Sequence, residues 1–263
     1  MTHLLTAPLP SLTETVARRR LNGTARDSVA RDTTARDRAA TATATVATTA
    51  TTTLVIIAKE TIPGRVKTRL HPALSFVQAA ELAAASIADT IGALSGLPAA
   101  RRILAFDGDV VPREAQAAGF DVLPQSAGTL DERLANIFDQ CSGPTVLIGM
   151  DTPQLTAADL APAFTRWPTG VDAWFGPASD GGFWALGMAK PTGDLVRGIP
   201  MSRSNTGRLQ LNRLLDAGLS VAMLPRLTDV DTIETAREVA ALAPYTGFSA
   251  TLARFTSAGL GKS

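Results

Sequence analysis

Hydrophobic residues recur along the chain in two patterns, short continuous runs and longer stretches with helical spacing. Each short run predicts a buried strand: 54–58, 102–106, 121–123, 146–149 and 221–224. The longer stretches predict helices over 75–94, 112–118, 129–141, 206–217 and 232–242, and one more after Thr156, where Asp159 completes a capping box. Strands that alternate with helices predict a mostly parallel sheet covered by helices on both faces.

One region departs from this alternation. Residues 173–176 and 182–188 both have the pattern of strands, and the turn residues 177–181 connect them without a helix. The fold class that we predict is therefore a single Rossmann-like α/β domain over 54–243.

The first fifty residues differ in composition from the rest. Thr and Ala dominate, and the triplet Ala-Arg-Asp recurs every five residues at 25–37, a period of neither helix nor strand. We predict a disordered tail over 1–53 and a second tail over 244–263. The cluster Arg18, Arg19 and Arg20 is typical of a solvated tail, although it would also suit an anionic partner.

Charge, hydrophobicity and cysteine content limit the binding partners, the membrane association and the disulfides that the sequence allows. The net charge of +1 gives no case for nucleic acid binding, and no apolar run approaches the roughly 20 residues that span a bilayer. The single cysteine, Cys141, excludes an internal disulfide. We expect a cytoplasmic protein without membrane insertion, and the sequence leaves the oligomeric state open.

A basic loop follows the first predicted strand. Arg65, Lys67 and Arg69 alternate, so an extended loop would direct all three to one side. Lys and Arg suit phosphate oxygens, and Gly64 lets the backbone approach a ligand closely. The loop predicts a nucleotide-binding site with Lys67 and Arg65 in catalytic roles, although a solvated basic loop has the same composition.

Carboxylates follow two later strands. Asp151 precedes Pro153, which ends the strand, and Asp229 and Asp231 alternate after 221–224. Ligands of parallel sheets bind at the carboxyl ends of the strands, so these groups should lie near the basic loop. Carboxylates there suit Mg²⁺ or Mn²⁺ bound with phosphate oxygens. Turn or helix capping is the alternative role for Asp151 and Asp231.

Three further segments are candidates for substrate contacts. Asp180, Gly181, Gly182 and Phe183 form either a hairpin turn or a floor beneath substrate, with Asp180 as a ligand or base. Three short hydroxyl residues stand at or before the start of the predicted helix at 206–217: Ser202, Ser204 and Thr206. Helix capping explains one or two of them, and the remainder would bind an acceptor or its phosphate at the helix N-terminus. Arg133, near the start of another helix, either binds nucleotide or is an ordinary surface residue.

Five of these motifs, in this order, resemble the DUF2064 family, a branch of the nucleotide-diphospho-sugar transferase (GT-A-like) superfamily. They are the segments 63–70, 149–155, 180–183, 199–202 and 229–232. The chain is similar, more distantly, to the guanylyltransferases of coenzyme F420 biosynthesis. The resemblance implies that Arg65, Lys67 and Arg69 bind nucleotide phosphates and that Asp151 and Asp231 bind the metal. At 128–133 the chain has Thr129 and Asp131 where the family usually carries Gly-Asp-Leu-Gly.

These observations favour a metal-dependent transferase that uses a nucleotide. Nucleotidyl transfer from an NTP to a small phosphorylated or carboxylated acceptor is the leading hypothesis, because three cations suit a triphosphate. Glycosyl transfer from a nucleotide-sugar is the alternative, although Gly149 replaces the first acid of an Asp-x-Asp signature at Asp151. A third hypothesis is a nucleotide sensor without catalysis.

Overall fold

The apolar runs form one seven-stranded sheet. The structure, a computed structural model, describes residues 51–259. Its strands are β1 (Thr53–Lys59), β2 (Arg101–Asp107), β3 (Asp121–Pro124), β4 (Thr145–Ile148), β5 (Ala173–Pro177), β6 (Phe183–Met188) and β7 (Val221–Met223). They lie in the order β3-β2-β1-β4-β6-β5-β7, and only β6 runs antiparallel to its neighbours. The predicted mostly parallel α/β sheet is confirmed.

Helices connect the strands and begin where capping residues predict. They are α1 (Phe76–Leu94), α2 (Arg113–Ala117), α3 (Leu130–Asp139), α4 (Ala157–Phe164), α5 (Thr206–Asp216), α6 (Ile233–Leu242) and α7 (Gly247–Gly259). Ser75, Thr129 and Thr156 cap α1, α3 and α4 through capping boxes. Within residues 51–259, no helix combines the length and the hydrophobicity needed to cross a membrane.

Both faces of the sheet are buried because β1 alternates its side chains between two cores. Leu54 and Ile56 pack against α1 and α4, whereas Val55 packs against α3 and α5. The centre of the sheet is therefore covered by helices on each side, and its strand ends remain open for a site.

A third core, which we call the outer core, lies on the far side of α1. Its buried members are Leu70, Leu74, Ala79, Leu82, Val230, Ala236, Val239, Phe248 and Leu252. They come from α1, α6, α7 and two loops of the candidate site. The outer core therefore joins the last two helices to the loops that carry the basic and acidic residues.

The predicted tail over 244–263 is wrong for its described part, because α7 occupies Gly247–Gly259. Phe248 and Leu252 lie one helical turn apart and are 1% and 4% exposed. Asp89 of α1 accepts hydrogen bonds from the amides of Gly247 and Phe248 at 3.0 and 2.7 Å, which satisfies two groups at the start of α7.

The predicted boundary at residue 53 is also too late. Thr53 begins β1, and the Thr52 hydroxyl, which is buried, donates a hydrogen bond to the Ala163 carbonyl at 2.8 Å. The disorder predicted for the tail concerns residues 1–50, which lie outside the described residues.

Phe248→Ala tests the contribution of α7 to the domain. The substitution removes a fully buried ring from the outer core and should lower the free energy of unfolding by about 3–5 kcal/mol. Tyr245→Ala is the matched control, because this ring is fully exposed and its loss should change stability by less than about 0.5 kcal/mol. Urea unfolding measures both, and equal stabilities would contradict the packing of α7.

Candidate active site

A cleft of about 620 Å³ opens at the carboxyl ends of the central strands. Lys59 ends β1, Gly149–Asp151 follow β4, and Phe183 begins the antiparallel β6, so all of them reach the same edge of the sheet. Asp229 and Asp231, in the loop after β7, line the same cleft. The sheet topology therefore brings the predicted acidic positions together.

Lys67 links the two acidic loops at one end of the cleft. Its Nζ lies 2.7 Å from Oδ1 of Asp151 and 3.3 Å from Oδ1 of Asp231. Arg69 approaches the other oxygen of Asp231 at 3.3 Å. The Lys67 side chain is only 7% exposed, whereas that of Arg69 is 73% exposed. Lys67 is thus the buried cation of this cluster and Arg69 the solvated one.

The basic loop is not extended, which corrects one expectation. Lys67 has left-handed backbone angles (φ 48°, ψ 39°), and Thr68–Leu70 form a turn of 3₁₀ helix. The alternation of the three cations therefore does not place them on one side. Arg69 lines the main cleft, and Lys67 lines an adjoining cavity of about 180 Å³.

Arg65 and Gly64 do not reach either cavity. Both residues are exposed, and only the Arg65 carbonyl takes part in the site, as the acceptor of a 3.1 Å hydrogen bond from Lys59 Nζ. Gly64 has a φ of +79°, which the turn requires, so its role is conformational. The catalytic role predicted for Arg65 has no support in this geometry.

The acidic loop after β7 is held by a residue between its two carboxylates. Val230 is 1% exposed and belongs to the outer core, and its amide donates to the Asp151 carbonyl at 3.0 Å. Because side chains alternate on extended backbone, Asp229 and Asp231 face the cleft together. Thr232, rather than Asp231, caps α6, so the Asp231 carboxylate is available to cations.

Asp229 forms an acid pair with Asp180. Burial, together with the charge of Asp180 and a hydrogen bond to it, raises the pKa of Asp229 from 3.8 to about 8, and Asp151 and Asp231 add smaller contributions. Asp229 therefore carries a proton at neutral pH. Asp180 also accepts a 2.7 Å hydrogen bond from the Gly182 amide, so the predicted turn role of Asp180 exists beside its place in the cleft.

The Asp180–Phe183 turn docks against the start of α5. The Gly207 amide donates to the Gly181 carbonyl at 2.8 Å, and a Cβ on Gly181 would lie 1.9 Å from the Ser204 carbonyl oxygen. Gly181 therefore serves close packing rather than substrate contact. Gly182 and Phe183 line the cleft, and their contact with substrate stays a prediction.

The segment before α5 forms the adjoining wall of the cleft, lined by Met201, Ser202, Arg203, Ser204 and Thr206. The Thr206 hydroxyl is committed to the loop, because it donates to the Pro200 carbonyl at 2.7 Å and accepts from the Arg203 amide. Ser202 has a φ of +57°, which is unusual for a residue with a side chain. Ser202 and Ser204 are exposed and line this wall.

Arg133 also lines the cleft, next to Gln125. Its Nη1 lies 3.2 Å from Oε1 of Gln125 and 3.5 Å from Oδ2 of Asp107. The Gln125 amide donates to the carbonyls of Ala58 and Ala105 at 2.7 and 2.9 Å. Strands β1 and β2 therefore hold Gln125, and Gln125 orients Arg133.

The three carboxylates predicted to bind the metal, Asp151, Asp229 and Asp231, do not form a ready-made metal site. Within residues 51–259, no three acidic, His or Cys side chains are grouped as a metal site, because Lys67 stands between Asp151 and Asp231 and Asp229 is paired with Asp180. The donors nevertheless suit a hard cation. Oδ1 of Asp151 is buried and has no hydrogen-bond partner in the described chain, since the Lys67 contact is an ion pair outside hydrogen-bond geometry.

Sequence reasoning missed Lys59, Gln125, Met201 and Arg203, which also line the cleft. Lys59 could have been found, because it is the first charged residue after the apolar run at 54–58. Gln125 and Met201 have no such signal, since only the pairing of distant strands and loops brings them to the cleft.

Comparison with known proteins supports this fold. The DUF2064 family model, described as "Uncharacterized protein conserved in bacteria", matches residues 90–203, which confirms the resemblance over that segment. A crystal structure from Desulfovibrio desulfuricans G20, of a protein proposed to be a nucleotide-diphospho-sugar transferase, is 25% identical with a TM-score of 0.68. The match covers 78% of this chain and 95% of that one. The fold is that of the GT-A-like nucleotide-diphospho-sugar transferases.

Two other structures are similar at lower scores. CMP:2-keto-3-deoxy-manno-octonic acid synthetase with CTP is 15% identical, with a TM-score of 0.46 and coverage of 74% of this chain and 98% of that one. A cytidylyltransferase from Leptospira borgpetersenii is 11% identical, with a TM-score of 0.47 and coverage of 79% and 93%. Similarity at this level carries no argument about this chain. No curated protein matches the chain.

Asp229→Asn tests the protonated acid pair. Between pH 3.8 and about pH 8 the folded chain keeps a proton that the unfolded chain releases, so stability should fall as the pH rises, by on the order of 1 kcal/mol per pH unit at most. Asn cannot ionise, so the variant should lose this slope and be more stable than wild type at pH 8. Urea unfolding from pH 5 to 8 measures it.

The control for this prediction is Asp109→Asn, which removes an exposed carboxylate outside the cleft. It should retain the pH slope of the wild type. If Asp229→Asn retained that slope as well, Asp229 would be ionised in the folded protein.

Proposed function

We propose that this chain is a metal-dependent, nucleotide-using transferase. We further propose that it transfers the nucleotidyl group of an NTP to a small phosphorylated or carboxylated acceptor and releases pyrophosphate. One cluster of ion pairs supports the proposal. Lys67 contacts both Asp151 and Asp231. Arg69 contacts Asp231. Phosphate-binding cations and metal-binding carboxylates are the two elements that a metal–triphosphate complex needs.

In this proposal each part of the cleft has one role. Asp151 and Asp231 would hold Mg²⁺ or Mn²⁺, which when bound neutralises charge on phosphate oxygens. Lys67 and Arg69 bind the polyphosphate, and Arg133, which also lines the cleft, contacts the nucleoside portion. The wall formed by Ser202, Arg203 and Ser204 receives the acceptor, beside Gly182 and Phe183.

Catalysis then consists of positioning and charge stabilisation. Lys67 is held in a nearly buried position, where low dielectric strengthens its attraction to a developing phosphate charge. No covalent protein intermediate is required, since the acceptor itself supplies the attacking oxygen. Asp229, protonated at neutral pH, adds no negative charge that would oppose the approach of a triphosphate.

Glycosyl transfer from a nucleotide-sugar is the second candidate, and one observation favours it. Asp180 lines the cleft and can serve as a general base for an acceptor hydroxyl. The D. desulfuricans relative is itself proposed to be a nucleotide-diphospho-sugar transferase. Against it, Gly149 stands where an Asp-x-Asp signature would have its first acid.

The leaving group separates the two reactions. The chain is incubated with Mg²⁺, each NTP or nucleotide-sugar, and a panel of phosphorylated and carboxylated small molecules, and the released phosphates are identified by ³¹P NMR. Pyrophosphate supports nucleotidyl transfer, whereas a nucleoside diphosphate identifies a glycosyltransferase. Saturable nucleotide binding without release of pyrophosphate or nucleoside diphosphate would indicate a nucleotide sensor without catalysis.

Lys67→Ala tests the central cation of this site. The variant should fold but lose about 10²–10³-fold in kcat/KM, because it removes a preorganised charge that acts on the transferring group. Arg101→Ala is the control, since within residues 51–259 the Arg101 side chain pairs with Asp121 on the surface, and it lies outside the cleft. Wild-type turnover by Lys67→Ala would overturn the role of the basic loop.

A further inference from the structure

The Lys67 ammonium occupies the space between the two carboxylates that the proposed function assigns to the metal. Its Nζ lies 2.7 Å from Asp151 and 3.3 Å from Asp231, so it bridges both residues at once. Both contacts use an Oδ1 atom, and the one on Asp151 is buried. A divalent cation bound by the same two oxygens would lie directly beside the ammonium.

We propose that Lys67 competes with the divalent cation for Asp151 and Asp231 in the free protein, and that the cation's arrival releases Lys67 to the phosphates of the nucleotide. The inference rests on the proposed function in one respect, the placement of the metal at these two carboxylates. Lys67 would then first neutralise the two carboxylates in place of the metal and afterwards bind the phosphates.

Electrostatics makes the two cations compete for these oxygens. Like charges a few ångströms apart repel, most strongly where solvent is excluded; the Lys67 side chain is 7% exposed, whereas those of Asp151 and Asp231 are 42% and 38% exposed. Without a cation, the neighbouring carboxylates of Asp151 and Asp231 would repel each other, and Lys67 Nζ contacts both. Lys67 therefore stabilises this pair of carboxylates in the free protein, and any metal must replace that stabilisation.

The loop permits the exchange through the side chain alone. Val66 and Leu70, on either side of Lys67, are buried and 2% and 1% exposed, so the backbone is anchored. The four-carbon stem of lysine is flexible, and its ammonium donates in several directions. The adjoining cavity of about 180 Å³, lined by Lys59, Lys67 and Arg69, gives the ammonium room beside the carboxylates.

Two consequences follow for binding. The metal alone should bind weakly, because it must displace an internal cation that is already in place. Nucleotide and metal should bind cooperatively, because the phosphates attract the released ammonium and so remove the competitor.

Mn²⁺ binding to the full chain without nucleotide tests the inference, with free Mn²⁺ measured by electron paramagnetic resonance. Lys67→Met keeps the length of the side chain and removes the ammonium, so its Mn²⁺ dissociation constant should be at least about tenfold lower than that of the wild type. Lys67→Gln serves as a second variant, and thermal melts with and without Mn²⁺ confirm that each variant is folded and stabilised by the ion.

Two control variants make the result specific. Arg65→Met removes a positive charge from the same loop, but Arg65 is exposed and contacts neither carboxylate, so the affinity for Mn²⁺ should stay within about threefold. Lys67→Met combined with Asp151→Asn should lose the tight binding, which would locate the ion at this site.

Unchanged or weaker Mn²⁺ binding by both Lys67 variants would overturn the competition, and so would a gain of equal size in Arg65→Met. Absence of Mn²⁺ binding in every variant would overturn it as well. Pyrophosphate release by the wild type decides the proposed function separately. If the wild type releases pyrophosphate but the Lys67 variants do not bind Mn²⁺ more tightly, only the competition is refuted. If the Lys67 variants bind Mn²⁺ more tightly but the wild type has no nucleotide chemistry, only the proposed function is refuted.

Discussion

Burial of Leu70 and Val230 in the outer core is the constraint on which the candidate site depends. Leu70 belongs to the basic loop and Val230 separates Asp229 from Asp231, and each is 1% exposed. Because α1, α6 and α7 enclose both residues, the loops cannot move apart without exposing apolar surface to water. The packing thereby fixes the approach of cations to carboxylates, so the last helices of the chain support the site without lining it.

Charge compensation is the second constraint. Four carboxylates converge on one end of the cleft, and the structure compensates them in two different ways. Asp229 keeps its proton, because burial and its acidic neighbours raise its pKa to about 8. Asp151 and Asp231 instead share the ammonium of Lys67.

Sequence patterns predicted the sheet, most helices and the convergence of the acidic positions, because buried strands and strand-end carboxylates have local signatures. The sequence patterns did not predict the features that depend on contacts between distant segments of the chain. The left-handed backbone of Lys67 and the 3₁₀ turn at Thr68–Leu70 separate Arg65 from the other two cations, although all three alternate in sequence. Gly181 has a packing role because Ser204 lies against it. Helix α7 does have a local signal, the helical spacing of Phe248, Leu252 and Phe255, although the preceding Pro244 and Gly247 are typical of a chain end outside a helix.

The central claim is that this cluster of cations and carboxylates binds a metal–nucleotide complex, and a thermal-shift screen tests it most directly. NTPs and nucleotide-sugars are compared with and without Mg²⁺, on the wild type and on Asp151→Asn. A ligand at about 100 times its dissociation constant adds roughly 2.7 kcal/mol, a visible shift in Tm. The account predicts stabilisation by an NTP that needs the metal and is lost in Asp151→Asn. Absence of a shift with any nucleotide, or an equal shift in the variant, would contradict it.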